Sequence, residues 1–189
     1  MAEVIVLRWG HRLRDERLTT HIILTARSLG ASGEILSDVE DKDIKRTTEK
    51  FIERWGSPFF LKMAIPWTKA IREWREKGGI VVHLTAYGEN IATSDVLKRI
   101  KYTGKDVMVI VGSQKVPPDF YREEVSDFNV AIGNEPHSEC SALAIFLDRY
   151  FEGQELSKKF EDAKVKIIPQ KRGKHIVFIP DEKNSKVEL

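Results

Sequence analysis

The chain has 189 residues, of which 41% are hydrophobic and 32% are charged, which predicts a folded globular protein rather than a disordered one. Its longest purely apolar run, Ala142 to Leu147, is far shorter than the roughly 20 residues that a membrane-spanning helix needs. The net charge of +2 does not by itself predict a nucleic-acid-binding protein.

Short runs rich in valine and isoleucine alternate along the chain with amphipathic stretches. The runs predict strands at Val4–Leu7, Glu34–Ser37, Phe59–Ile65, Ile80–Thr85, Val107–Val111 and Asn129–Ile132. Helical spacing of apolar residues follows from Ile44 to Trp55, and again from Trp67 to Trp74 after Pro66. This alternation predicts βαβ units, and therefore an α/β fold with a mainly parallel sheet flanked by helices.

The last third of the chain predicts one buried helix and one hairpin. Residues Ala142 to Phe151 are apolar on nearly all sides, which indicates a helix buried all round, often against a second subunit. Beyond Gly153, the runs Val165–Ile168 and His175–Ile179 flank a turn at Gly173 and predict a small basic β-hairpin. We therefore expect a main domain, 1–156, and a basic C-terminal extension, 157–189.

Charge and cysteine usage add weaker expectations. Arginines and lysines cluster in two segments: Arg8, Arg12, Arg14 and Arg17, then Lys164, Lys166, Lys171, Arg172 and Lys174. Without a motif, a solvated surface is the plainer interpretation of such clusters. The single cysteine, Cys140, excludes an intrachain disulfide and, with no visible signal peptide, favours a cytoplasmic protein. Acidic and basic residues nearly balance, while glutamine, asparagine and cysteine are scarce, a pattern that is common in thermophilic proteins.

Several common kinds of site are missing from the sequence. The first predicted strand leads into WGHRLRDERL, without the glycine pattern of a Rossmann nucleotide site. There is no P-loop and no nucleophile elbow. The five histidines and Cys140 lack paired metal-ligand spacing, so we expect no metal.

Three predicted strands end in glycine-containing loops: HLTAYG at 83–88, VIVGSQKVPP at 109–118 and VAIGNEPHSE at 130–139. Any one of them alone is most simply an ordinary turn between a strand and a helix. In a parallel sheet, however, the carboxyl ends of the strands share one edge, where ligands bind. Glycine lets the backbone approach such a ligand closely.

Taken together and in this order, these loops resemble those of the SPOUT superfamily of RNA methyltransferases. The narrower resemblance is to archaeal tRNA cytidine-56 2′-O-methyltransferases. It is carried by VLRWGHR at 6–12, by TTHxxLTARxxGA at 19–31 and by IGNxPHSE at 132–139, and it covers roughly residues 4–180. Two positions depart from the wider superfamily: Gln114 replaces the usual glutamate, and Pro117 replaces the usual last glycine.

The resemblance implies a deep C-terminal trefoil knot, a homodimer and methylation of the ribose of cytidine 56 in the T loop of tRNA. It implies S-adenosyl-L-methionine as cofactor, held by Leu84, Gly112, Ser113, Gln114, Lys115, Val116, Ile132, Gly133, Asn134, Glu135, Pro136, His137, Ser138 and Glu139. Two alternatives stay open: an RNA-binding protein of the same fold without catalysis, and a base-directed RNA methyltransferase.

The catalytic arginine is less directly assigned by the resemblance. Related ribose methyltransferases carry it six residues before a glycine, but the equivalent position before Gly30 is Leu24. Arg27, three residues later on the same helical face, is the first candidate, with Arg17 and Arg12 in reserve. A structural role in an ion pair is the alternative for Arg27.

Overall fold

The computed structural model describes residues 2–113 and 115–180. Within them the chain forms eight strands and five α-helices. The strands are β1 (Val4–Arg8), β2 (Gly33–Ser37), β3 (Phe60–Ile65), β4 (Ile80–Asn90), β5 (Val107–Val111), β6 (Phe128–Ala131), β7 (Val165–Ile167) and β8 (Ile176–Phe178). The helices are α1 (Glu16–Ser28), α2 (Lys42–Trp55), α3 (Trp67–Glu76), α4 (Val96–Tyr102) and α5 (Glu139–Phe151).

The first six strands form one sheet in the order β3-β2-β1-β5-β4-β6, and all neighbouring strands are parallel. At its centre, Leu7 of β1 lies opposite Ile35 of β2 and Ile110 of β5. Every residue of these three strands is buried, because helices cover both faces of the sheet. The prediction of a mainly parallel α/β sheet is confirmed.

Alternate residues of each central strand enter two separate cores. Val4 and Val6 of β1 face the core that contains residues of α1, α2, α4 and α5. Ile5 and Leu7 face a smaller core, which contains residues of α3 and Phe120. The period of two in a strand therefore divides one apolar run between two layers of helices.

Two predicted elements differ from the observed ones. Helix α5 is not buried all round, since Ser141, Ile145 and Asp148 are exposed on its outer side. Strand β4 runs past the predicted end at Thr85 to Asn90, because its register against β6 shifts between Leu84 and Glu89 and pairing then resumes. The residues between Leu84 and Glu89 form a bulge, at which the regular pairing with β6 is interrupted.

The basic C-terminal segment forms the predicted hairpin, in which β7 and β8 pair as an antiparallel two-stranded sheet. Residues 181–189 of the predicted extension lie outside the described residues. The boundary at 156/157 and the trefoil knot stay predictions. No helix in the described part of the chain is long and apolar enough to cross a membrane.

Candidate functional site

The carboxyl ends of β5, β4 and β6, which are neighbours in the sheet, form one side of a cavity of about 880 Å³. Residues of the segment that follows β1 also line it. Eleven of the predicted cofactor-binding residues line this cavity: Leu84, Gly112, Ser113, Lys115, Val116, Ile132, Gly133, Glu135, Pro136, His137 and Glu139. The structure thus brings together three loops that are far apart in sequence, as the parallel sheet predicts.

The other three predicted cofactor residues are Gln114, Asn134 and Ser138. Gln114 lies outside the described residues. Ser138 is the residue before α5 and does not line the cavity. Asn134 also does not line it, and its side-chain nitrogen donates hydrogen bonds to the carbonyl oxygens of Ala86 and Gly88, at 2.9 and 3.1 Å. The Asn134 side chain therefore holds the bulge of β4 after Leu84.

Among the three candidate arginines, only Arg12 lines the cavity. Its backbone follows His11, whose buried ring lies 2.8 Å from Thr19 Oγ1 and 3.1 Å from Asp41 Oδ2. Asp41 also accepts hydrogen bonds from the backbone nitrogens of Asp43 and Ile44 at the start of α2. The pKa of Asp41 is lowered, mainly by the hydrogen bond from the Ile44 backbone. The hydrogen bonds with His11 and the Asp43 backbone lower it further. Arg12 is thus exposed on a firmly anchored segment.

Arg27 does not fit the catalytic role predicted for it. Its side chain is buried and donates hydrogen bonds to the carbonyl oxygens of Trp55 and Gly56, at 2.8 and 2.7 Å. The guanidinium carbon also lies 3.7 Å from the ring centroid of Phe160. A cation that binds the last carbonyls of α2 stabilises the end of that helix. The structural alternative therefore describes Arg27 better, although through backbone carbonyls rather than an ion pair.

The loop after β5 is supported by the end of β1. Arg8 Nη1 donates a hydrogen bond to the Gly112 carbonyl, and Trp9 N donates to the Val111 carbonyl at 3.1 Å. Gly10 has a φ of +80°, and a Cβ built there would lie 2.8 Å from the Cβ of Ser113. Any side chain at Gly10 would therefore displace the loop that lines the cavity.

Arg8 is fully buried, which excludes the surface position that its place in the first basic cluster suggested. Burial lowers the pKa of Arg8, opposed mainly by the negative charges of Glu139 and Glu34. Glu34 on β2 is also fully buried, and burial raises its pKa to about 8 despite the charge of Arg8.

Sequence reasoning missed ten further lining residues: Arg14, Asp15, Leu18, His83, Thr85, Ala86, Tyr87, Val111, Tyr121 and Ala142. His83 is buried, its pKa is lowered by that burial, and its Nδ1 lies 2.9 Å from the side-chain oxygen of Asn129. Tyr87 lies in the HLTAYG loop, and a large aromatic residue beside a glycine in that loop is a signal that the sequence contains. Nothing in the local sequence placed Tyr121 beside it.

The described part of the chain contains no cluster of three histidine, cysteine, aspartate or glutamate residues that could hold a metal ion. The cavity is instead lined by backbone and by both kinds of charge. Arg12, Arg14 and Lys115 face it together with Asp15, Glu135 and Glu139. Such a lining suits a ligand that carries both charges better than a simple anion.

A family model described as tRNA ribose 2′-O-methyltransferase, aTrm56, matches residues 55–177. The tRNA (cytidine(56)-2′-O)-methyltransferase of Staphylothermus marinus is 48% identical over 95% of this chain and 95% of its own length. That of Pyrococcus abyssi is 51% identical over 93% of this chain and 88% of its own. The chain belongs to the aTrm56 family of tRNA ribose 2′-O-methyltransferases.

Solved structures extend the aTrm56 fold to distant relatives. The TrmH/SpoU tRNA modifying enzyme of A. aeolicus superposes with a TM-score of 0.58 at 16% identity, over 85% of this chain and 81% of that one. The S-adenosylmethionine-bound rRNA methyltransferase of Sinorhizobium meliloti gives a TM-score of 0.57 at 22% identity, over 80% and 57%. At these identities the likeness shows the fold alone, which is that of the SPOUT methyltransferases.

Proposed function

We propose that this protein transfers the methyl group of S-adenosylmethionine to the ribose 2′-hydroxyl of cytidine 56 in the T loop of tRNA. The observation that carries the proposal is the single cavity into which the three family loops converge. Membership in the aTrm56 family favours the ribose, rather than a base, as the methylated part of the nucleotide. Relatives that share almost the whole length of this chain bear the cytidine-56 activity in their names.

The cavity suits the proposed cofactor in size and lining. Its volume of about 880 Å³ lies towards the upper end of the range of about 300–1,000 Å³ found for small-molecule sites. A Cβ built on Gly133 would have no heavy atom within 4 Å, so the ligand can approach the backbone there. The acidic and basic side chains around it match the carboxylate and ammonium groups of the methionine part. The proposed binding set consists of the eleven lining residues named above together with Gln114, Asn134 and Ser138.

Bound S-adenosylmethionine would supply an electrophilic methyl group, so the protein needs neither a metal nor a covalent nucleophile. What its residues must do is align the 2′-hydroxyl with that methyl group and stabilise the charge that develops on the oxygen. We assign the second task to Arg12, because it is the candidate arginine that lines the cavity. A guanidinium stays protonated, so it stabilises the oxyanion rather than accepting the proton.

We propose that exposed cations beside the site and on the hairpin contact tRNA phosphates. Three exposed arginines follow β1: Arg12, Arg14 and Arg17. Four further exposed cations lie on the C-terminal segment: Lys166, Lys171, Arg172 and Lys174. Lys164 is already engaged, since its Nζ lies 2.6 Å from Glu53 Oε1. The target itself must be unpaired, because A-form RNA hides its base edges and enzymes act on splayed loops.

We also propose a homodimer in which the outer side of α5 packs against a second copy. Ile145 is 42% exposed there, between the small Ser141 and the polar Asp148. We further propose that residues 1–156 form a knotted domain and that the chain from residue 157 is an extension of it. We propose a cytoplasmic location.

The test is incubation of unmodified tRNA transcript with labelled S-adenosylmethionine, followed by nucleoside mass spectrometry. We expect 2′-O-methylcytidine, and a gap at position 56 in an alkaline hydrolysis ladder. Label on a ring nitrogen would instead indicate a base methyltransferase. Cofactor and RNA binding without any transfer would indicate a non-catalytic protein of this fold.

A further inference from the structure

Two tyrosines stand at the cavity, and the more exposed of them, Tyr87, belongs to neither hydrophobic core. Tyr87 and Tyr121 both line it, and their ring centroids are 6.3 Å apart. Tyr87 is 87% exposed and Tyr121 is 40% exposed. Tyr87 therefore contributes little buried area to the fold, while it presents an aromatic face to whatever enters the cavity.

The bulge of β4 that carries Tyr87 is held by hydrogen bonds even though the Tyr87 ring is exposed. Asn134 Nδ2 donates to the carbonyl oxygens on either side of Tyr87, those of Ala86 and Gly88. The backbone of Gly88 approaches β6 so closely that a Cβ there would lie 2.5 Å from the carbonyl of Asn129. Because the backbone here is already held, binding of a ligand to Tyr87 costs little further backbone entropy.

Tyr121 is fixed by a second set of contacts that leads into the core. Its ring packs edge-on against His83 at 5.1 Å, and His83 packs against Phe120 at 5.6 Å. The side-chain nitrogen of Asn129 donates to the Tyr121 carbonyl at 3.2 Å. The series of rings thus runs from the buried Phe120, through His83 and Tyr121, to the exposed Tyr87.

We propose that Tyr87, with Tyr121 beside it, forms the platform on which the base of the methylated nucleotide stacks. The proposal rests on the function proposed above and names what that site does with the base. Single-stranded RNA is bound by stacking of splayed bases on aromatic side chains. The two tyrosines line the same cavity as the cofactor loops, so a base placed there brings its own ribose towards the methyl donor.

The adenine of the cofactor is another nucleobase that could stack on these rings. The exposed position of Tyr87 favours a base of the RNA instead. Tyr87 is 87% exposed, whereas Leu84, which lies in the same loop and belongs to the proposed cofactor-binding set, is only 9% exposed. A ring so open to solvent suits a base that arrives from outside after the cofactor has bound.

The primary test compares Tyr87→Ala with the wild-type enzyme in two separate measurements. We expect KM for tRNA to rise roughly tenfold or more, as for the loss of one base–aromatic stack. The Kd for S-adenosylmethionine by calorimetry should change less than about twofold. Tyr87→Trp should retain tRNA affinity and Tyr87→Leu should not. Tyr102→Ala, at an even more exposed tyrosine outside the cavity lining, is the matched control and should change neither quantity.

A second test identifies the base directly. Binding of tRNA with an abasic ribose at the target is measured for wild type and Tyr87→Ala. If the base stacks on Tyr87, removing it weakens binding to the wild type and has almost no effect on the variant. Equal losses in both proteins would overturn the proposal, as would a weakened cofactor affinity in Tyr87→Ala, which would assign the ring to adenine. Wild-type enzyme that forms no 2′-O-methylcytidine would refute the function itself, and these binding measurements do not depend on turnover.

Discussion

The guanidinium of Arg8 donates a hydrogen bond to the carbonyl oxygen of Gly112, although the two residues are 104 positions apart. Arg8 ends β1, and Gly112 begins the loop after the neighbouring strand β5. A buried charge on the central strand thus holds a loop that lines the cavity. This relationship gives the VLRWGHR segment a physical role that its basic character did not suggest.

Replacing Arg8 with methionine should weaken cofactor binding more than it slows turnover. Loss of a hydrogen bond from a charged group costs about 1.5–3 kcal/mol, so we expect Kd for S-adenosylmethionine to rise roughly tenfold to a hundredfold. Turnover at saturating cofactor should largely recover, because Arg8 is fully buried and acts by positioning the loop. Steady-state kinetics with varied cofactor separates the two effects.

Gly10→Ala provides an independent check on that loop, since its new methyl group would meet Ser113. It should raise the same Kd without removing a charge. Arg8→Lys should restore part of the affinity. A lower melting temperature with unchanged cofactor affinity in both Arg8→Met and Gly10→Ala would show that the β1 end has only a structural role.

Arg12→Ala should reduce kcat by about a hundredfold or more, the usual effect of losing one donor to a developing oxyanion. Cofactor affinity should change little.

Arg27→Ala should instead lower the melting temperature, because two carbonyls at the end of α2 lose their donor. Arg72→Ala, at an exposed arginine of α3 outside the cavity lining, is the control for loss of charge alone. If Arg27→Ala is stable but inactive and Arg12→Ala is active, the assignment reverses.

The strands of the main sheet were predictable because continuous apolar runs separated by helical patterns leave few alternatives to a parallel sheet. The three glycine loops were predictable for the same reason. The role of Arg27 was not, because helical spacing shows which face a residue occupies but not what packs against it. Arg8 was misassigned because it is adjacent in sequence to exposed arginines, and only the pairing of β1 with β5 reveals its burial.

The buried Glu34 should make the stability of the fold depend on pH. Its pKa is raised from 4.5 to about 8 by burial, so the folded state holds a proton that the unfolded chain releases. Its contribution to stability is therefore fully present below about pH 4.5 and is lost as the pH rises towards 8. The slope is at most about 1.4 kcal/mol per pH unit in this window. Denaturant unfolding at several pH values should show a flatter profile for Glu34→Gln, and an unchanged slope would rule out a neutral Glu34.

The proposed dimer can be tested at Ile145 rather than deeper in α5. Arginine at Phe146 or Leu147 would unfold the chain itself, because both side chains are fully buried within one copy. Ile145→Arg introduces the charge on the exposed side and should yield folded monomers at micromolar concentration in sedimentation velocity. Leu156→Arg, at another exposed apolar side chain, should leave the dimer intact. A wild-type monomer under these conditions would contradict the proposal.

Charge reversal at Lys171 and Arg172 should raise KM for tRNA while Kd for the cofactor stays constant. Both side chains are exposed on the turn between β7 and β8, where they can reach phosphates without disturbing the sheet. Each phosphate contact that is lost should reduce the slope of log affinity against log salt by about one unit. Reversal at Lys77 and Lys105 is the matched control, because these exposed lysines precede β4 and β5 at the edge of the sheet opposite the cavity. An equal loss of affinity in both double variants would mean that the hairpin attracts tRNA only through net charge, whereas a loss confined to Lys171 and Arg172 would place the RNA on the hairpin.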